Sequence, residues 1–112
     1  MAGDTLFGFQ KMDAYQVAKE IARRVHAMGI RDGELRDQAT RASKSCFLGL
    51  VEGLPNDAPG LRRRYFTQAR NSLCETVGAL DLAVAIGAAE ADDADAVQTL
   101  ALRLKPMLRA LL

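Results

Sequence analysis

Apolar residues recur along this chain at steps of three and four, in four segments separated by three clusters of turn-forming residues. In the first segment, about 11–28, Tyr15, Ala18, Ile21, Ala22, Val25 and Met28 draw one stripe, the mark of a helix that buries one face. Gly29 and Gly33, with Asp32 between them, supply a stop and a turn. The second segment, about 34–53, turns Leu35, Ala39, Ala42, Cys46, Gly49 or Leu50, and Leu54 inward. Its steps alternate four and three, as along the seam of a helical bundle. Gly53 and Pro55 end it, and Asn56 or Asp57 is placed to cap the third helix, with Pro59 tolerated in its first turn. The third segment, about 58–86, carries Phe66, Ala69, Leu73, Thr76 or Val77, Leu80 and Val84, and stops at Gly87. The fourth, about 92–111, starts at a capping Asp92 with Asp93 and Asp95 in its first turn, where carboxylates suit the positive end of the dipole. Val97, Leu100 or Ala101, Leu104, Leu108 and Leu111 face inward there, and Pro106 is expected to kink the helix or loosen its last turn and a half.

No strand, internal repeat or low-complexity linker is expected. Short connections make consecutive helices antiparallel neighbours. The expectation is a single all-α domain over 1–112, an antiparallel up-down-up-down four-helix bundle. Its stripes are wider than a lone bundle requires. Leu80, Leu82, Val84 and Ile86 cover more than one face of the third helix, as do Leu100, Leu102, Leu104 and Leu108 on the fourth. A helix apolar nearly all round is buried on both sides, so the expected second cover is another subunit. The competing reading is ordinary exposed apolar surface.

Composition changes this picture little: 112 residues with 49% hydrophobic content can bury a core without metals or disulfides. A net charge of +1 supplies no global drive towards nucleic acid or membrane. Its distribution is uneven. Residues 1–70 hold twelve Lys/Arg against eight Asp/Glu, and residues 71–112 hold three against six, balances of +4 and −3. Met1–Asp4 shows no basic region followed by an apolar core, so a signal peptide is not expected. No apolar run approaches the roughly 18 residues of a membrane span, and a cytoplasmic location without membrane partners follows as the expectation. Cys46 and Cys74 are too sparse for a disulfide framework or a zinc site. Both read as reduced core thiols.

Chemistry is hard to assemble from these residues. A bundle di-metal site needs Glu-x-x-His pairs, yet the only histidine, His26, follows Arg23 at that spacing. His26 sits near the last turn of the first helix, where a histidinium suits the dipole. It would also be the sole base for Ser43, Ser45, Ser72 or either cysteine, and no spacing recommends it. Glu52 and Glu75 could pair across the second and third helices, although an inward glutamate more often bonds an arginine or a helix end. No Gly-rich phosphate loop is present. The chain therefore reads as no enzyme, with no metal and no cofactor. Its one candidate binding feature is basic: Arg62, Arg63 and Arg64 open the third helix before Tyr65 and Phe66, with Arg70 two turns on. Arg36, Arg41 and Lys44 lie on the second helix, and Arg23 and Arg24 on the first. Converging, such residues make a phosphate-binding patch beside an aromatic ring. Successive helical residues differ by about 100°, so Arg62–Arg64 point three ways and some must serve in solvated or intersubunit ion pairs. The candidate nucleic-acid contacts are Arg36, Arg41, Arg62, Arg63, Arg64 and Arg70.

Laid out in order, the residues carry a resemblance. Leu35-Arg36-Asp37-Gln38, Arg41-Ala42, Ser45 and Glu52-Gly53 on the second helix continue as Arg64-Tyr65-Phe66, Ala69-Arg70-Asn71-Ser72-Leu73 and Glu75 on the third. Phe9 through Lys11, Met12, Ala14, Tyr15 and Ala18 open the chain in the same style, and Leu104, Met107-Leu108 and Leu111 close it. Over nearly its whole length the chain resembles the small four-helix bundle proteins of the 23S rRNA intervening-sequence family, with the related accessory variability determinant proteins of diversity-generating retroelements. The resemblance implies an antiparallel bundle assembled as a homopentamer, without enzymatic activity. It also implies two classes of partner besides the chain itself. Retroelement members bind RNA or DNA, and a reverse transcriptase, through basic surfaces. Those relatives look strongly basic, whereas this chain is nearly neutral. A scaffold that serves a protein partner without touching nucleic acid is thus the alternative function. One position departs from the pattern: Gly49 stands where the family usually has asparagine, three residues before the Glu-Gly pair. Either a buried side-chain hydrogen bond is lost there, or the helices approach more closely.

Overall fold

Four α-helices form where the apolar stripes run, and their ends fall within two residues of the pattern. The structure, a computed structural model, describes residues 6–112; the reading of Met1–Asp4 lies outside the described residues. A 3-10 turn over Gly8–Lys11 leads into α1 (Asp13–Ala27), α2 (Gly33–Gly53), α3 (Pro59–Ala85) and α4 (Ala91–Leu111). No strand occurs among the described residues.

The helix ends correct several expectations. Asp32, read as part of a turn, caps α2: its Oδ1 accepts from the Leu35 N–H at 2.9 Å. Neither Asn56 nor Asp57 caps α3. Asn56 Oδ1 accepts instead from the Ala58 N–H at 2.9 Å, and this local turn delivers Pro59 to the start of α3, where its missing N–H costs nothing. Glu90 occupies the cap position of α4 without a side-chain bond. Asp92 and Asp93 lie inside the first turn, so they act through the dipole rather than as caps. Gly87 ends α3 with φ +76, a left-handed conformation that favours glycine. Helix α4 runs unbroken through Pro106 to Leu111.

The stripes meet in one core. Ile21 and Val25 from α1, Leu50 from α2, Phe66 and Leu80 from α3, and Val97, Leu104 and Leu108 from α4 are all fully buried. Helices α1 and α3 each pack against α2 and α4. The α2–α3 seam is built from small residues. A Cβ placed on Gly49 would lie 2.9 Å from the Tyr65 carbonyl oxygen, and one on Gly53 would lie 2.7 Å from Phe66 Cε1. At Gly49 the two helices approach too closely for a side chain. Along this seam Gln38 meets Glu75, Ser45 meets Ser72, and Gly53 meets Phe66, so α2 and α3 run in opposite senses. At one end of the bundle the Arg31 N–H donates to the Ala88 carbonyl at 2.7 Å, and its guanidinium reaches the Gly87 carbonyl and Glu90. Those bonds tie the α1–α2 connection to the α3–α4 connection.

Two expectations about apolar side chains divide. Leu80, Leu104 and Leu108 are buried, while Leu82, Ile86 and Leu102 stand 50%, 55% and 64% exposed. Only Cys46 is a core thiol; Cys74 is exposed, because it follows the buried Leu73 by one residue and so lies about 100° around the helix. Among the described residues, no helix is long and apolar enough to cross a membrane.

A candidate nucleic-acid interface

Helix α2 turns Asp37, Arg41, Lys44, Leu48 and Glu52 outward, at steps of four, three, four and four that keep them on one face. Arg36 and Thr40 lie beside that face, next to His26 from the last turn of α1. Together with Ser45 and Gln68 they line a shallow groove of about 700 Å³. Hydroxyl and amide bonds run from the groove into the α2–α3 seam. Gln68 Nε2 donates to Ser45 Oγ at 3.2 Å, Ser72 Oγ donates to Ser45 Oγ at 2.9 Å, and Thr76 Oγ1 donates to the Ser72 carbonyl at 2.8 Å. Gln68 also borders a second hollow with Arg64, Thr67 and Asn71, which makes Arg64 continuous with the groove.

Its electrostatics are modestly positive. Arg36, Arg41 and Lys44 face Asp37 and Glu52, three cations against two carboxylates, or +1 with His26 neutral. Among the described residues, Arg36 alone of these three cations has a carboxylate within ion-pair distance, Asp37 Oδ1 at 4.0 Å. Among the described residues, neither Arg41 nor Lys44 has an ion-pair partner. Both charges are therefore available to a ligand.

Four of the other basic residues are occupied elsewhere. Arg23 donates through Nε to Glu20 Oε2 at 2.9 Å, and Arg24 Nε donates to Glu20 Oε1 at 3.1 Å. Arg23's hydrogen bond is the main reason the Glu20 carboxyl is lowered to about 2, with the charges of both arginines and the Arg24 bond adding to it. Arg62 donates to the Leu54 carbonyl at 2.7 Å and the Gly53 carbonyl at 3.3 Å, and its guanidinium lies 4.9 Å over the Phe66 ring. It thus closes the C-terminus of α2, where a cation meets the negative end of the dipole. Arg63 donates to the Leu112 carbonyl at 3.1 Å. Arg70 is exposed and stands about two turns beyond Arg63 on the same flank of α3. Of the six candidate arginines, the fold gathers Arg36, Arg41 and Arg64; Arg62 and Arg63 bond the ends of other helices, and Arg70 stands apart. Sequence reasoning left out His26, Ser45 and Gln68 as neighbours of these cations. The outward spacing from Asp37 to Glu52 was readable, but contacts across helices were not.

The two glutamates that could pair across α2 and α3 stand apart. Glu75 accepts from Gln38 Nε2 at 3.1 Å. Gln38 and Glu52 are fourteen residues apart, about 21 Å along α2, so Glu52 and Glu75 form no carboxylate pair. Among the described residues, no group of three or more His, Cys, Asp or Glu is placed to hold a metal ion. Burial, with a smaller contribution from the nearby Cys74, pushes the Cys46 thiol up to about 12, which suits a packed thiol and not a nucleophile.

The sequence profile of a family described as 23S rRNA-intervening sequence protein matches residues 10–110. No curated protein matches the chain.

Proposed function

The chain belongs to the 23S rRNA-intervening sequence protein family, and from that premise we propose that it is a non-enzymatic, cytoplasmic, oligomeric bundle that binds RNA or DNA phosphates through the α2 groove. One observation carries the reading: Arg41 and Lys44 share a groove with Arg36 and His26, and among the described residues neither is within ion-pair distance of a carboxylate. Unpaired cations at neighbouring positions release counterions when a phosphate backbone docks, which is the main source of sequence-independent affinity. Arg64 extends the same surface onto α3. The exposed Leu82 and Ile86, one turn apart on α3, and Leu102 on α4 are apolar surface open to self-association, and the ring of five implied by the resemblance would repeat the groove around one axis.

Reversing Arg41 and Lys44 to glutamate together weakens binding to RNA and DNA alike, without lowering helix content. Binding unchanged in that variant contradicts the groove. A protein that ignores nucleic acid even at low salt is instead a scaffold for a protein partner such as a reverse transcriptase.

A further inference from the structure

Four of the chain's six aromatic rings form a ladder that leaves the core and ends in solvent. Phe47 of α2 lies 4.9 Å from Tyr15 of α1, Tyr15 meets Phe9 edge-on at 5.8 Å, and Phe9 stacks on Phe7 at 5.6 Å with 15° between planes. Phe7 is 71% exposed, more than any other large apolar side chain among the described residues. It is nevertheless held in place. The Phe7 N–H donates to Gln10 Oε1 at 2.8 Å, its carbonyl accepts from the Gln10 N–H at 3.0 Å, and Gln16 Nε2 donates to the Gln10 carbonyl at 2.7 Å. With its backbone tied down and its inner neighbour nearly parallel, the exposed Phe7 ring can, among the described residues, take a further planar group on its outer side.

Two lysines border the ladder and suit an anionic ligand with a planar part, with the Asp13 carboxylate between them in the first turn of α1. Lys19 Nζ lies 5.6 Å over the Tyr15 ring, and Lys11 ends the turn that carries Phe7. The Tyr15–Phe47, Gly53–Phe66 and Arg63–Leu112 contacts bring the start of α1, the end of α2, the start of α3 and the end of α4 to one end of the bundle. That end also holds Arg63 and Arg64. Phe47, the inner rung, lies one turn from Lys44 of the groove. We propose that Phe7 is a stacking platform for an unpaired base of a single-stranded nucleic acid whose phosphates lie on the groove cations. Every base has a π-face, so such a contact is tolerant of sequence and selects single strands over duplexes. The inference rests on the phosphate-binding reading and narrows it to single strands.

The test compares an adenine-rich RNA of about 12 nucleotides, a length within the reach of small single-strand sites, with a duplex of equal length. Phe7→Ala is expected to weaken the single strand about tenfold, within the range of one lost base stack, and to leave the duplex unchanged. Because the chain has no tryptophan, Phe7→Trp places a single fluorophore at the platform. It is expected to bind the strand as the wild type does, with its emission quenched on binding. Three results overturn the platform: Phe7→Ala binding the strand as tightly as wild type, Phe7→Trp binding without a change of emission, or Phe7→Ala lowering only the oligomer mass, which makes the ring a subunit contact. If strand binding is lost on reversing Arg41 and Lys44 but untouched by Phe7→Ala, the platform fails while the groove stands. A wild type that binds neither probe removes both.

Discussion

Cys46 and Cys74 look alike in the sequence, each set in a helix among apolar neighbours, and they behave differently in the fold. Cys46 belongs to the core, and Cys74 faces solvent. At pH 8, a thiol reagent is expected to label Cys74 in the native protein, and Cys46 only after denaturant is added. Equal native labelling of both would mean that the α2 register is wrong. The Cys46 thiol also links stability to pH. Its folded pKa is raised to about 12, above the unfolded value near 8.5, so the unfolded chain loses this proton first. The stabilising effect is complete below about pH 8.5 and is lost as pH climbs towards 12. Arg62 shows the same limit of sequence reading. Within Arg62-Arg63-Arg64 nothing singles it out, yet only its direction meets the carbonyls at the end of α2. Residue type was legible, whereas the direction each side chain takes depends on about 100° of helix rotation per residue.

At the scale of helices, periodicity carried far, because burial of a stripe is what makes these segments helical. Tyr15, Ala18, Ile21, Val25 and Met28 are buried as their spacing implies, and so are Phe66, Ala69, Leu73 and Leu80. Caps were less legible. Asp32, Asn56, Asp57 and Asp92 are all competent cap residues, and the backbone conformation just before each helix decides which one bonds inward. The α2–α3 seam makes a sharper claim. Gly49→Ala puts a methyl group 2.9 Å from the Tyr65 carbonyl oxygen, where the obstacle is backbone and cannot rotate away. Overpacking of this kind costs about 1–3 kcal/mol, against about 1 kcal/mol that alanine gains over glycine in a helix. Chemical denaturation is therefore expected to show a lower midpoint for the variant. A higher midpoint would mean the two helices stand further apart.

For the whole molecule, the chain's wide apolar faces were visible as a pattern, and the fold leaves Leu82, Ile86 and Leu102 outside the core. If that surface joins subunits, Leu82→Glu with Ile86→Glu lowers the particle mass measured by light scattering while helix content by circular dichroism is retained. An unchanged mass assigns the contact to another face. Charge follows the same division between legible and hidden. The excess of acid in residues 71–112 could be counted, but the fold alone shows that Asp37 and Glu52 share a groove with Arg36, Arg41 and Lys44. That mixture predicts salt-sensitive binding of moderate strength. Affinity for single-stranded RNA, measured by fluorescence anisotropy from about 50 to 200 mM salt, tests the central claim most directly. Each phosphate contact contributes about 0.7 to the slope of log affinity against log salt, so losing Arg41 and Lys44 is expected to flatten the wild-type line by about 1.4. A reversed variant that keeps the wild-type slope and affinity would contradict the assignment of phosphate binding to this groove.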